Sequence, residues 1–144
     1  DQISWMVEKE FIRESEAQSV DIEGLVSFFT SSLGKRMLGS DYVYRETPFN
    51  LVKNPGEVLA NLESSLGEEI LIQGVIDCYF QEGEDLVLID YKTDYYYDDK
   101  SKNDLVERYR SQIELYREAL EKIKGKKVKE AYLYLLHKNE EVRL

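Results

Sequence analysis

Gly74-Val-Ile-Asp77, followed by Leu86-Val-Leu-Ile-Asp90-Tyr-Lys92-Thr-Asp94, is the stretch on which the reading of this chain turns. Two apolar runs flank a polar connection, Gln81-Glu-Gly-Glu-Asp85, the pattern of an antiparallel hairpin. A carboxylate breaks each run, and the second run adds a lysine two residues after its Asp. Side chains two apart in a strand share a face, so Asp90 and Lys92 point the same way. Asp77, on the neighbouring strand, is placed to join them. Charge at the end of an apolar sheet is costly unless it is paired or metal-bound. Two carboxylates and an ammonium gathered there read as a divalent-metal site.

Outward from the hairpin, the chain alternates helix and strand signals. Upstream, Trp5, Met6, Val7, Phe11 and Ile12 have roughly helical spacing between Asp1 and Ser19. A second helix is expected from Asp21 through Leu33, capped by Ser19 or Asp21 and ended by Gly34. Its buried stripe would be Ile22, Leu25, Val26, Phe28, Phe29 and Leu33. Asp41 to Glu46 alternates as a strand; Pro48 restricts the chain, and Phe49 to Val52 resumes it. Pro55-Gly56 predicts a turn, and Val58, Leu59, Leu62 and Leu66 predict a short helix ended by Gly67. The hairpin strands are read as Ile70 to Phe80 and Leu86 to Lys92.

Downstream, Asp94 to Asn103 reads as a loop beside the site. Asp104 is a candidate cap for a long helix that stops at Gly125. Its stripe is Leu105, Tyr109, Ile113, Tyr116, Leu120 and Ile123. Lys129 to His137 is apolar on both faces, as a strand covered on both sides would be. The expected fold is α/β: a central mixed sheet of about four strands flanked by helices. One domain over 1–144 is expected, with a helical lead-in over 1–40 and a catalytic core over 41–144.

Composition bounds the function. The 144 residues carry a formal charge of −10, which by itself disfavours a nucleic-acid partner. The charge is uneven, however. Lys100 to Lys129 holds ten Lys or Arg against five Asp or Glu, and part of the acidity elsewhere belongs to the candidate metal site. The single Cys78 excludes an internal disulfide and any four-cysteine zinc or iron–sulfur site within the chain. No apolar run is long enough for a bilayer, and Asp1-Gln-Ile-Ser-Trp5 has no signal-peptide character. The absent initiating Met suggests a piece of a longer chain, and a reducing cytoplasm is the expected setting.

Several residues have two readings on the sequence alone. Lys92 can orient or deprotonate a water, stabilise phosphate charge, or simply pair with Asp90 or Asp77. Glu46 is a metal candidate or an edge-strand carboxylate. Gln112, on or beside the long helix's apolar stripe, requires a hydrogen-bond partner. Tyr95, Tyr96 and Tyr97 can stack on bases or pack on the domain. No Gly-x-x-x-x-Gly-Lys-Ser/Thr loop is present, so any ATP dependence would belong to other domains.

The order of elements, with Asp and then Asp-x-Lys on the hairpin, resembles the PD-(D/E)XK nuclease superfamily. Arg45-Glu46-Thr-Pro48-Phe49, Gln73-Gly74-Val-Ile-Asp77, Ile89-Asp90-Tyr-Lys92-Thr-Asp94, and Tyr109 with Gln112-Ile-Glu-Leu-Tyr116 resemble the RecB-type nuclease domain of AddAB helicase–nucleases. That resemblance implies a restriction-endonuclease-like core. It also implies Mg²⁺, with Mn²⁺ as a possible substitute, held by Asp77, Asp90 and the backbone carbonyl of Tyr91, with Glu46 close by. Asp77, Asp90, Lys92 and Gln112 would be catalytic, and Gln112 and Tyr116 would meet substrate; Tyr95 is a further substrate candidate on its stacking chemistry alone. The implied activity is exonucleolytic hydrolysis of DNA in double-strand-break repair and recombination. The implied partners are a single strand delivered by an ATP-driven helicase domain and an AddB-like second subunit in the bacterial cytoplasm. Relatives place a metal-binding His on an upstream helix; nothing here matches it, His137 included, so the resemblance leaves open whether this stretch is active without that helix. A free-standing nuclease of the same superfamily, or a module that guides single-stranded DNA without cutting it, are the alternatives.

Overall fold

The computed structural model describes residues 2–54 and 69–144 of the chain. Among these residues one sheet runs in the order β1 (Val43–Lys53), β2 (Ile70–Glu82), β3 (Asp85–Lys92), β4 (Val128–Leu135) and β5 (Glu140–Arg143). Every neighbouring pair is antiparallel except β3 and β4, which are parallel. Parallel neighbours need a long crossover, and the long helix α5 (Asp99–Lys124) supplies it. The expected mixed sheet is present with five strands rather than about four. The additional β5 is Glu140-Glu-Val-Arg143, too short and too charged for alternation to reveal it. It is reached through Asn139, whose φ of 54° is left-handed, a conformation asparagine tolerates.

The central hairpin is tighter than its sequence suggested. Strands β2 and β3 continue until Glu82 pairs with Asp85, so the connection is Gly83-Glu84 rather than five residues. Gly83 has φ +68°, which explains the glycine: favoured two-residue hairpin loops start with a positive φ. Pro48 does not interrupt β1. It lies on an edge strand, where a missing N–H costs no ladder bond on the open side.

Helices cover both faces. Helix α5 packs Leu105, Ile113, Tyr116 and Leu120 against Leu88, Leu133 and Leu135 of the sheet. On the other face, α3 (Ile22–Thr30) and α4 (Ser32–Leu38) press Phe28, Leu33 and Met37 onto Phe80, Val87, Ile89 and Tyr134. Leu133 and Leu135 serve the first face and Tyr132 and Tyr134 the second, so β4 is covered on both sides as expected. Helix α5 begins earlier than expected: Asp98, not Asp104, is its cap, accepting from Ser101 N at 2.8 Å. Gly125 ends it with φ +62° as expected. Ile123, expected in the stripe, is exposed.

The lead-in departs most from expectation. Residues 2–19 form two short helices, α1 (Gln2–Glu8) and α2 (Glu14–Ala17), in place of one spacing. The Asp21–Leu33 helix is also two. Asp21 caps α3, accepting from Gly24 N at 2.9 Å; Ser31 then caps α4, accepting from Gly34 N at 3.0 Å. Gly34 therefore opens a helix and does not close one. A Cβ there would fall 2.0 Å from the Phe28 carbonyl oxygen, so the glycine permits the close turn. Because the break redirects the chain, only Phe28 and Leu33 of the expected stripe are buried. Ile22, Leu25, Val26 and Phe29 stay exposed. The expected Pro55-Gly56 turn and the 58–66 helix lie outside the described residues.

Candidate active site

Strands β1 and β2 both change face at one point, and that point makes the site. In β2, Ile72, Ile76 and Tyr79 lie on the α5 side, whereas Cys78 and Phe80 lie on the opposite side. Strict alternation cannot satisfy all five, so the pleat slips by one residue around Asp77. Strand β1 slips too, with Val43 on the α3 side and Phe49 and Leu51 on the α5 side. Pairs Arg45↔Cys78 and Thr47↔Ile76 leave Glu46 and Asp77 opposite each other at the slip. Glu46 has φ +48°, a left-handed residue inside a strand. That conformation costs a non-glycine residue about 1–2 kcal/mol and is found where structure or function demands it.

The β2–β3 ladder ends at Cys78↔Ile89, one step before Asp77 would meet Asp90. There a side chain replaces the backbone: Tyr91 N donates to Asp77 Oδ2 at 3.0 Å. Asp77 is thereby fixed beside the peptide that joins Asp90 to Tyr91. Asp90 is the one buried charged residue among the described residues, 1% exposed. Burial, reinforced by the neighbouring Asp77 charge, pushes its carboxyl above the usual range, against the downward pull of Lys92.

Lys92 Nζ stands 2.7 Å from Asp90 Oδ2 and donates to Gln112 Oε1 at 2.8 Å. Gln112 Nε2 donates to the Tyr116 hydroxyl at 3.1 Å. The Lys92 ammonium also sits over the Tyr109 ring, 4.2 Å from its centroid, and the Tyr109 hydroxyl donates to Asp94 Oδ2 at 3.0 Å. Tyr109, Gln112 and Tyr116 are three and four apart on α5, so one helix face holds all three against the β3 residues. Phe49 packs edge-on against Tyr116, ring centres 5.5 Å apart. Phe49 in turn lies across Gly74, where a Cβ would meet its ring at 2.7 Å. The glycine before Val75-Ile76-Asp77 thus makes room for the ring that backs Tyr116.

Asp77, Asp90, Lys92, Gln112 and Tyr116 are therefore brought together. Glu46 lies opposite Asp77 by register but is exposed, and among the described residues no three His, Cys, Asp or Glu side chains form a ready-made metal cluster. Tyr95 is exposed and is not brought to the centre; its ring centre is 4.2 Å from that of His137. Of its neighbours, Tyr96 is buried and Tyr97 exposed, so the triple tyrosine does not act as one surface. The sequence reading missed Tyr109 and Asp94 as the support beneath Lys92. The signal was present: Asp90, Lys92 and Asp94 are spaced by two, and Tyr109 is one turn before Gln112.

Does the arrangement fit a divalent cation? Asp90 Oδ2 is fully buried and receives no aligned hydrogen bond; among the described residues its only close cation is the Lys92 ammonium. Two carboxylates supply hard oxygen donors, and one ammonium leaves the pair net negative, which suits Mg²⁺ or Mn²⁺. The donor set fits.

A family model described as the PD-(D/E)XK nuclease superfamily matches residues 5–143. The chain is similar to an ATP-dependent helicase/nuclease subunit from Alkaliphilus oremlandii (strain OhILAs), 46% identical over 144 residues, covering 100% of this chain and 12% of that protein. The protein of the same name from Clostridium novyi (strain NT) is 43% identical over 145 residues, covering 99% and 12%. That from Thermoanaerobacter sp. (strain X514) is 49% identical over 136 residues, covering 94% and 11%. The chain thus spans only about 12% of the length of the curated relatives it matches.

Proposed function

The chain belongs to the PD-(D/E)XK nuclease superfamily, and from that premise we propose that it hydrolyses DNA phosphodiesters at the Asp77–Asp90–Lys92 centre as the nuclease part of a helicase–nuclease. The observation that carries the reading is the buried, incompletely bonded Asp90 carboxylate held beside Asp77 with a single ammonium. Asp77, Asp90 and the Tyr91 carbonyl are the metal ligands, with Glu46 as a candidate fourth. When bound, Mg²⁺ supplies Lewis-acid polarisation of the phosphate and neutralises charge at the leaving oxygen.

The chain's own residues do the remaining work. Lys92 can donate hydrogen bonds to the phosphate from a fixed place, because Asp90, Gln112 and the Tyr109 face each restrain its ammonium. It orients the attacking water and opposes the charge that builds on the phosphate. Gln112 accepts from Lys92 through its Oε1, which sets the amide orientation and turns Nε2 toward Tyr116. Gln112 and Tyr116 then line the approach of the scissile phosphate, and Tyr95 meets a base at the margin. Recognition is of backbone rather than base edges.

Double-strand-break repair and recombination, exonucleolytic cutting, ATP use by a helicase portion, an AddB-like partner and a bacterial cytoplasmic setting complete the proposal. They rest on the similarity to the helicase/nuclease relatives. No helix of the described residues is long and apolar enough to cross a membrane.

The test is cleavage of labelled single-stranded DNA by the full-length protein. Cutting should require Mg²⁺ or Mn²⁺ and stop with EDTA. Asp77→Ala, Asp90→Ala or Lys92→Ala should reduce it well beyond the roughly hundredfold that loss of an outer-shell partner costs. Cutting that persists in Asp90→Ala would overturn the centre. Metal-dependent binding without any cutting would favour a guide module instead.

A further inference from the structure

A groove of about 590 Å³ opens where the carboxyl ends of β3 and β4 meet the start of α3. Its walls include Val20, Leu25, Thr93, Tyr95, Leu136 and His137. In α/β sheets the crevice outside the carboxyl ends of parallel strands is a preferred ligand site, and β3 and β4 are the sheet's one parallel pair among the described residues. The groove lies just past Lys92 at the end of β3, on the α3 side of the sheet, whereas Asp90 and Lys92 face α5. Thr93 follows Lys92 in the chain, and Leu136 N donates to the Lys92 carbonyl at 2.9 Å. A strand with one phosphate at Asp77 and Asp90 would pass the carboxyl end of β3, from the α5 side of the sheet to the α3 side, to enter it.

The lining chemistry selects among the parts of such a strand. Among the described residues no Lys or Arg lines the groove. The α3 N-terminus, an attractive place for an anion, is already taken by the Asp21 carboxylate, which accepts from Gly24 N. A phosphate would meet that negative charge with no lining cation to offset it. An uncharged, flat, aromatic group meets Val20, Leu25 and Leu136 on its apolar faces. Tyr95 is 73% exposed and braced on one side by His137, so its other face is free to stack. The volume suits one nucleoside.

We infer that this groove is a base-binding subsite. It takes one unpaired base of a DNA strand that has passed the end of β3, stacked on Tyr95 and pressed against Leu25. The inference rests on the nuclease reading for the identity of the strand, and it adds a site outside the catalytic centre. It makes the protein prefer strands that are single at that position, because a paired base cannot leave its stack without cost.

The test uses the full-length protein with Ca²⁺ in place of Mg²⁺, and single-stranded oligonucleotides carrying 2-aminopurine at one scanned position. One position should be quenched on binding. Tyr95→Ala and Leu25→Glu should abolish the quenching and weaken binding at least about fivefold, the lower end of what one stacked base contributes. Tyr95→Phe should preserve both. An abasic residue at the quenched position should lower wild-type affinity and leave that of Tyr95→Ala unchanged. Quenching that survives Tyr95→Ala and Leu25→Glu, or no quenched position at all, overturns the subsite. Cleavage in Mg²⁺ separates the two failures: a wild type that cuts but shows no quenched position loses the subsite alone, and one that neither cuts nor binds loses both readings.

Discussion

One hairpin ends in two opposite electrostatic arrangements. At its closed end, Glu82 is gripped by Arg36 through two contacts of 2.9 Å and by Lys129 at 2.6 Å. Glu130 on β4 is held by Arg36 at 2.6 Å and by Arg143 at 3.3 Å. Three cations serve two carboxylates, and Arg36 holds Glu82 down at about 2. At the open end Asp90 pairs with the Lys92 ammonium while Asp77 accepts only from Tyr91 N among the described residues, and burial pushes Asp90 upward. The first set is complete and ties α4 to the sheet. The second is one positive charge short, the imbalance on which the proposed cation site rests.

That contrast can be broken by mutation. Arg36→Ala leaves two carboxylates with weaker partners and should cost about 2 kcal/mol of stability, seen as a lower denaturation midpoint. Cleavage per folded molecule should not change. A loss of cleavage larger than the loss of folded protein would mean the two ends are coupled.

A smaller effect, of opposite sign, is expected at Glu46. Its left-handed φ of 48° inside β1 suits glycine better than glutamate. Glu46→Gly should therefore raise stability by up to about 1 kcal/mol while lowering cleavage. Unfolding curves and cleavage rates of one preparation decide it; a gain in stability with full activity removes Glu46 from the site.

The smallest effect is in the response to acid, and its sign differs between the ends. Glu82 has a depressed folded value, so its contribution is present above the ordinary carboxylate range and is lost as pH falls through about 2. Its exposure and solvent screening keep that contribution modest. Asp90 has a raised folded value, so the native state holds its proton more tightly than the unfolded chain. Its effect on stability becomes less favourable as pH rises from the ordinary carboxylate range through the raised value. Melting temperature against pH should show wild type losing its advantage over Glu82→Gln on acidification. Against Asp90→Asn it should gain on acidification. Parallel pH curves for the two comparisons would contradict the asymmetry.

The closed and open ends were not equally legible. Asp90 and Lys92 could be placed on one face from spacing alone, since a period of two fixes which side chains share a face, and Asp77 was a candidate only as the carboxylate of the neighbouring strand. Gln112 and Tyr116 followed from helical spacing and from the resemblance to the nuclease family. Arg36, Glu82 and Glu130 come from three elements brought together only by tertiary packing, and nothing local marks them. The slip at Glu46 and Asp77 was equally hidden, because an αL residue inside a strand leaves no pattern when it is not a glycine. The α3–α4 break was missed because apolar residues continue across Ser31, and periodicity does not register a cap in the middle of a run. β5 was missed for the opposite reason, having too few apolar residues to register.

Gly74 gives the architecture a thermal consequence. Phe49, seated over that glycine, backs Tyr116, which meets Gln112, which meets Lys92. Phe49 belongs to β1, an edge strand, and edges open locally at lower free energy than cores. Warming should therefore lift Phe49 before the sheet melts and slacken the lysine's mooring while most of the protein still looks native. The protein should lose its aim before it loses its shape.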